Sequence, residues 1–162
     1  IKPDKEGNFD INNLPLGKSY VYVNEETLPS NVIVDQKMPI AIEVMEKESA
    51  RLTIHLVKAA GLVGQLKSEN GEALTNKCYF KLFNEEFEIL AETDESGRFE
   101  MRQIVPGQYR LEIIGMANQK EFKFEQFSEQ IDLKEGQILE KEVRISPKTK
   151  NITFKKEKLK IK

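Results

Sequence analysis

The side chains that usually carry chemistry are scarce in this sequence and badly placed to act together. It has one histidine, His55, and one cysteine, Cys78. A nucleophilic thiol needs a nearby base, and a metal centre needs several convergent ligands. His55 shares the polar phase of an alternating run with Arg51 and Thr53, so it reads as a solvated strand residue, not a ligand or base. Cys78 shares the phase of Phe80 and Leu82 and reads as a small buried hydrophobe. Being single, it excludes an internal disulfide. The acidic clusters NEEFE (84–88) and ETDESG (92–97) lack the alternating oxygen ligands of a calcium loop. They read as solvated faces and turn caps. No glycine-rich phosphate cradle is present. The expectation is therefore no catalytic residue, no metal site and no cofactor. What remains is aromatic. Tyr79 and Phe83 sit on the exposed phase of their run, where they serve either a glycan- or protein-binding face or packing against a neighbouring repeat or loop.

The elements that carry these residues are strands. Leu52, Ile54 and Leu56 alternate with polar neighbours, as do Cys78, Phe80 and Leu82, then Tyr109, Leu111 and Ile113, then Val143 and Ile145. Period two with one wet face is the pattern of antiparallel sheets. Residues 84–92 read as loop then strand. Turn signals fall between the runs. Asn70-Gly71 is a hairpin signal that asks for positive φ at both residues. In DESG, Asp94 caps backbone donors and Gly97 takes the left-handed region. Pro106-Gly107 fits the centre of a type II turn. Short strands with turns at this spacing predict a β-sandwich.

The same phrase occurs twice. Asp4, Gly7, Phe9, Leu14 and Gly17 precede Asp94, Gly97, Phe99, Ile104 and Gly107 by 90 residues. After the glycine turn the apolar match is best at 89, pairing Tyr20 with Tyr109, Ile42 with Ile131 and Ile54 with Val143. A one-residue slip belongs in a loop, because inside a strand it would turn every side chain over. The expected domains are the later part of a first repeat (1–58), a complete second repeat (59–146) and a basic tail or extra strand (147–162). Phe9 and Phe99 follow the turn glycines and are expected to face the core. Only Ala59-Ala60-Gly61 separates the two copies, a joint short enough to restrict their swing. The first copy lacks the strands that should precede DKEG, and an open sheet edge invites an added strand. The tail, another domain or a partner protein would serve.

At 162 residues, with 39% hydrophobic and 32% charged content, the composition is that of a folded domain or two. A net charge of −2 gives no field for nucleic acid. No apolar run is long enough to span a membrane. The opening IKPDKEGNFD reads as the middle of a domain, so the chain is expected to be part of a longer polypeptide. Its basic end, KTKNITFKKEKLKIK, is either a solvated terminus or a docking strand for an acidic or membrane-proximal partner.

Three stretches, GQLKSENGEAL (64–74), TDESGRF (93–99) and IVPGQYRL (104–111), resemble the carboxypeptidase regulatory-like domains, relatives of collagen-adhesin B-type and transthyretin-like sandwiches. Ser68 and Ala73 depart from that family's usual Asp and Pro. The resemblance implies tandem antiparallel seven-stranded β-sandwiches, the first one incomplete. It implies a non-catalytic spacer or interaction module, with a glycan- or protein-binding adhesin module as the alternative. It also implies partners among the other domains of a parent chain or in the cell envelope, and a place at the surface, outer membrane or periplasm of a bacterium. Some adhesin relatives carry an internal Lys–Asn isopeptide bond. The last strand here, KEVRI, offers no Asn or Asp to receive a lysine, so none is expected.

Overall fold

A computed structural model describes residues 2–46, 49–117, 122–124 and 127–148, so the basic tail from residue 149 onward lies outside the described residues. The strands are β1 Gly17–Val21, β2 Val32–Val34, β3 Ile40–Val44, β4 Leu56–Lys58, β5 Ala60–Ser68, β6 Cys78–Phe83, β7 Glu88–Glu92, β8 Arg98–Ile104, β9 Gly107–Met116, β10 Phe122–Lys123, β11 Ser128–Leu133 and β12 Ile138–Pro147. The fold is all-β. Among the described residues, two four-stranded sheets, ordered β10-β12-β5-β8 and β11-β9-β6-β7, accompany two two-stranded sheets, β1-β3 and β2-β4. Each larger sheet thus has four described strands, the two residues of β10 forming a short outer one beside β12.

By packing, the chain forms two compact units, each spanning several stretches. One contains residues 63–100, 110–131 and 140–162. Its interior is built from alternate residues of its strands: Cys78, Phe80 and Leu82 from β6, Leu111 and Ile113 from β9, and Val143 and Ile145 from β12. Phe99 stacks on Phe80 with ring centroids 4.0 Å apart and planes 19° from parallel. β6 pairs antiparallel with β7 on one side and β9 on the other. At one end Tyr79 lies opposite Gly115 while Phe80 lies opposite Ile113. Ile114, exposed, is thus an extra residue in the ladder, and this β-bulge shifts the phase beyond it so that Met116 rather than Gly115 faces inward. Thr93 is the one buried polar residue among those described. Its hydroxyl accepts from the Cys78 N–H at 2.9 Å and donates to the Asn76 carbonyl at 3.0 Å, which removes the penalty of burying it.

The other unit contains residues 1–62, 101–109 and 132–139. β1 pairs antiparallel with β3, Gly17 opposite Val44 and Val21 opposite Ile40. β2 pairs antiparallel with β4. Backbone bonds from Ala59 N–H to Asn31 carbonyl and from Gly136 N–H to Lys58 carbonyl tie its stretches together. Glu135 accepts from the Lys58 N–H, and the Gln103 amide donates to the Ser30 carbonyl at 2.6 Å. Tyr109 is buried and its hydroxyl donates to the Val105 carbonyl at 2.7 Å.

Several expectations shift. The strand expected across Leu52–Leu56 is β4, which starts only at Leu56, itself half exposed. Residues 8–14 form no strand, and Phe9 is half-buried, whereas their counterparts form β8 and bury Phe99. β8 has β5 as its neighbour in the sheet, and no strand pairs with residues 8–14 among the described residues. Asn70-Gly71 is a different turn from the one anticipated. Only Gly71 has positive φ (86°), with Gly71 N–H bonded to Ser68 carbonyl and Ser68 N–H to Glu72 carbonyl. That is a three-residue loop with glycine at its left-handed position. Gly107 has φ 157°, near extended, and so does not make a type II turn. The left-handed residues other than glycine in this region are Gln103 (φ 56°) and Asn13 (φ 62°), themselves 90 residues apart, while Gly17 has φ 95°.

The slip also moves. Tyr109 is 4% exposed and Tyr20 is 53% exposed, so the two tyrosines lie on opposite phases of their strands. Ser19, 90 residues before Tyr109, holds its phase. The offset stays at 90 through β2 and β10. The β2–β4 ladder sets Val32 opposite Lys58, and the β10–β12 ladder sets Phe122 opposite Pro147, offsets of 90 and 89. The change therefore falls between Val34 and Ile40, in the connection from β2 to β3.

Candidate functional site

The most fully specified local structure is the loop that introduces β8. Asp94 Oδ1 accepts from the N–H of Ser96 (2.8 Å), the hydroxyl of Ser96 (2.7 Å) and the N–H of Arg98 (2.9 Å). Gly97 N–H donates to Asp94 carbonyl, and Asp94 N–H to Arg98 carbonyl. The Ser96 hydroxyl, followed by the Arg98 N–H, holds the Asp94 carboxyl below its usual range. Residues 4–8 repeat the bonds made by the backbone: Asp4 Oδ1 accepts from Glu6 and Asn8 N–H, Gly7 N–H donates to Asp4 carbonyl, and Asp4 N–H to Asn8 carbonyl, while the Asn8 side-chain amide donating to Asp4 Oδ2 takes the place of the Ser96 hydroxyl. Asp4 is likewise lowered, first by the Asn8 N–H. Gly7 and Gly97 have φ 86° and 79°. Gly17, Gly71, Pro106 and Gly107 lie in or beside the other connections. Each of these residues shapes a turn.

Tyr79 and Phe83 lie on the outer face of β6, with Lys81 between them. Lys81 Nζ sits 4.8 Å from the Phe83 ring centre and Lys77 Nζ 5.8 Å from that of Tyr79. Both lysines also pair with acids of β7, Lys81 with Glu88 at 2.6 Å and Lys77 with Glu92 at 2.9 Å. The Glu92 pairing raises the Lys77 ammonium above its usual value. Tyr79 covers Gly115, whose added Cβ would lie 3.4 Å from the ring. Much of this aromatic surface is thus committed to its own sheet, although Tyr79 stays 41% exposed. On the other sheet Lys67 meets Glu142 at 2.5 Å, and Arg144 meets the same carboxylate. Lys67, then Arg144, keeps Glu142 ionised to lower pH than an ordinary glutamate.

His55 is exposed, and its N–H donates to the Gln36 side chain. Cys78 is buried, and desolvation pushes its thiol up to about 12. Among the described residues no three His, Cys, Asp or Glu side chains converge as metal ligands would. Sequence reasoning missed Gly64. It reads as an ordinary strand glycine, yet it faces the Phe99 ring so closely that no side chain fits. The signal available was a glycine on the inward phase of an apolar strand.

Compared with known proteins, the chain matches no family model and no curated protein. Its likeness is to solved structures. A minor pilin of the gram-positive pathogen Streptococcus agalactiae aligns over 94% of this chain and 69% of its own, at 15% identity and TM-score 0.53. The TIE protein of Bacillus anthracis aligns over 67% of this chain at 18% identity and TM-score 0.49. This chain spans 21% of that protein's length. A DUF3823 family protein from Parabacteroides merdae aligns over 55% of this chain and 45% of its own, at 21% identity and TM-score 0.42. The neighbours are bacterial β-sandwich proteins, and at these identities the likeness is one of fold.

Proposed function

We propose that this chain is a non-catalytic structural module of a larger bacterial cell-surface protein. It consists of tandem carboxypeptidase regulatory-like, B-type sandwiches: the later part of one over 1–58, a complete one over 59–146, and a basic tail or extra strand over 147–162. Its work is to hold other parts of the parent at a set distance. The observation that carries this reading is the duplicated loop of Asp4–Asn8 and Asp94–Arg98, identical in its backbone bonds. A unit written twice in one chain is how a spacer is lengthened. Likeness in fold to a minor pilin agrees with it. The test is an antibody raised to residues 59–146 and applied to intact source cells. Labelling that disappears when surface proteins are shaved with protease is the expected result. Antigen confined to the soluble cytosolic fraction would overturn it.

A second reading has its own observation. Lys77, Tyr79, Lys81 and Phe83 form a cation–aromatic stripe on an outer sheet face, of a kind that binds glycans or proteins. Saturable binding on a glycan array that Tyr79→Ala abolishes would favour it over a purely mechanical role.

A further inference from the structure

β7 is an edge strand in the middle of the chain. One side pairs with β6, and among the described residues no strand pairs with the other. Just past its end, the Thr93 N–H donates to the Cys78 carbonyl of β6. Backbone groups alternate sides along an antiparallel strand, so the N–H and carbonyl groups of Glu92, Leu90 and Glu88 face the open side. The side chains alternate as well. Ile89 and Ala91 are only half-buried, although Leu82 and Phe80 opposite them are fully buried. Glu88, Leu90 and Glu92 are exposed, Leu90 by 62%. The other edges differ. β8 exposes Arg98, Glu100 and Arg102, β11 exposes Ser128, Gln130 and Asp132, and β10 has two residues. Two carboxylates flanking a leucine make β7 the edge that repels an acidic strand and admits a basic one.

We infer that residues 158–162 of this same chain, Lys-Leu-Lys-Ile-Lys, pair antiparallel with β7 and close its open edge. Their alternation has the phase that β7 requires. Lys158 opposite Glu92 and Lys162 opposite Glu88 make cross-strand pairs of opposite charge, and the Lys160 stem lies along Leu90. Leu159 and Ile161 extend the inward row of Ala91 and Ile89. β6 makes the same pattern on the other side of β7, with Lys81 opposite Leu90, and Phe80 and Leu82 opposite Ala91 and Ile89. Glu88 and Glu92 already pair with Lys81 and Lys77, and each carboxylate has a second oxygen for an incoming ammonium. The wider charge agrees. Residues 84–95 hold six acids and no base, and the neighbouring Lys77, Lys81 and Arg98 offset half of them. Residues 148–162 hold seven lysines and one glutamate. The path is short enough. The Ser146 hydroxyl donates to Glu69, just past β5, and the Leu66 N–H near the end of β5 donates to the Gly97 carbonyl in the loop after β7. The ends of β12 and β7 thus lie at one end of their unit, and a strand starting there runs back along β7 antiparallel to it. The ten residues 148–157 extend up to about 33 Å, against about 14 Å across four strands and about 10 Å between sheets.

The measurement is amide hydrogen exchange by NMR on the intact 162-residue protein and on a variant carrying Leu159→Lys and Lys160→Leu together. This swap keeps composition and charge but breaks the alternation. The Leu90 and Glu92 amides are expected to exchange at least about tenfold more slowly in the unaltered protein than in the variant, while β6 and β9 exchange alike in both. Equal rates at Leu90 and Glu92, whether fast or slow, would overturn the inference, because attraction by charge alone, or cover by another segment, survives the swap. Protection that rises with protein concentration would assign the edge to a second copy and overturn pairing within one chain. Carbodiimide coupling of the monomer reads the register. Lys158 joined to Glu92 and Lys162 to Glu88 are the expected products, and couplings scattered over residues 84–95 would overturn it.

Discussion

Gly64 sits face-on against the ring of Phe99: a Cβ built on Gly64 would lie 2.1 Å from both Cε1 and Cζ of that ring. No rotamer change of a methyl group relieves such a contact, so the ring itself has to move. It cannot move freely, because its other partner is the stacked Phe80.

Gly64→Ala is therefore expected to destabilise by about 1–3 kcal/mol, the usual cost of overpacking a filled core. Phe99→Ala removes the ring and leaves a cavity, at about 3–5 kcal/mol. The double variant should cost less than the two single values added, because with the ring gone the alanine at 64 has room. Urea unfolding of the three variants checks this. Strict additivity would show that Gly64 and Phe99 are not in contact.

Gly7 and Gly97 hold the same conformation in the same kind of loop but differ in what surrounds them. A Cβ on Gly97 would meet the Leu74 carbonyl oxygen at 2.1 Å, while one on Gly7 meets nothing within 4 Å. Gly7→Ala should cost only the strain of a left-handed alanine, about 1–2 kcal/mol. Gly97→Ala carries the same strain plus a backbone collision, so it should lower the melting midpoint by clearly more. Equal shifts in thermal melts would contradict the geometry.

The two turn aspartates give the protein an acid limb. Both carboxyls are held below the ordinary range in the folded chain, Asp94 first by the Ser96 hydroxyl and Asp4 first by the Asn8 N–H. A lowered folded value means that their contribution is complete above the ordinary carboxylate range and is lost as pH falls through the lowered one. Stability should decline on acidification, and in Asp94→Ala the decline should be shallower. Urea midpoints measured from pH 7 down to pH 2 test both statements.

Cys78 works at the other end of the scale. Burial raises its thiol from 9.0 to about 12, so the folded chain holds a proton that the unfolded chain releases. Its contribution is complete below about pH 9 and falls as pH rises from there toward 12. At pH 8 iodoacetamide should leave the native thiol almost untouched and alkylate it readily in urea. Comparable rates in the two states would mean that Cys78 is not buried as described.

Tyr109→Phe removes one hydroxyl, the donor to Val105. The expected loss is about 0.5–1.5 kcal/mol, the net value of a hydrogen bond of this kind. Tyr20→Phe should be silent, since Tyr20 lies on the exposed phase of β1.

How much of this could be read in advance depended on range. The burial of Cys78, Phe80 and Leu82 followed from alternation, and the Asp94 loop followed from four adjacent residues, because both are local. The left-handed Gln103 did not, since glutamine gives no conformational signal and nearby Gly107 drew attention to itself. Tyr20 was aligned with Tyr109 by identity, but the phase of a strand is set by what packs on its face, and β1 has less to pack on. The contact between Gly64 and Phe99 joins two strands far apart in sequence, and neither residue betrays it. At the candidate surface, the exposure of Tyr79 was legible from its phase. The salt bridges that engage Lys77 and Lys81 came only with the register between β6 and β7.

The loop that appears at Asp4 and again at Asp94 closes on its own aspartate in both places. The Asp94 copy is also held from outside: the Ser96 carbonyl accepts from the Gln65 amide and the Gly97 carbonyl from the Leu66 N–H. The aspartate turn is therefore the portable part of the design, and the docking of its glycine against β5 is what a transplanted copy would have to find anew.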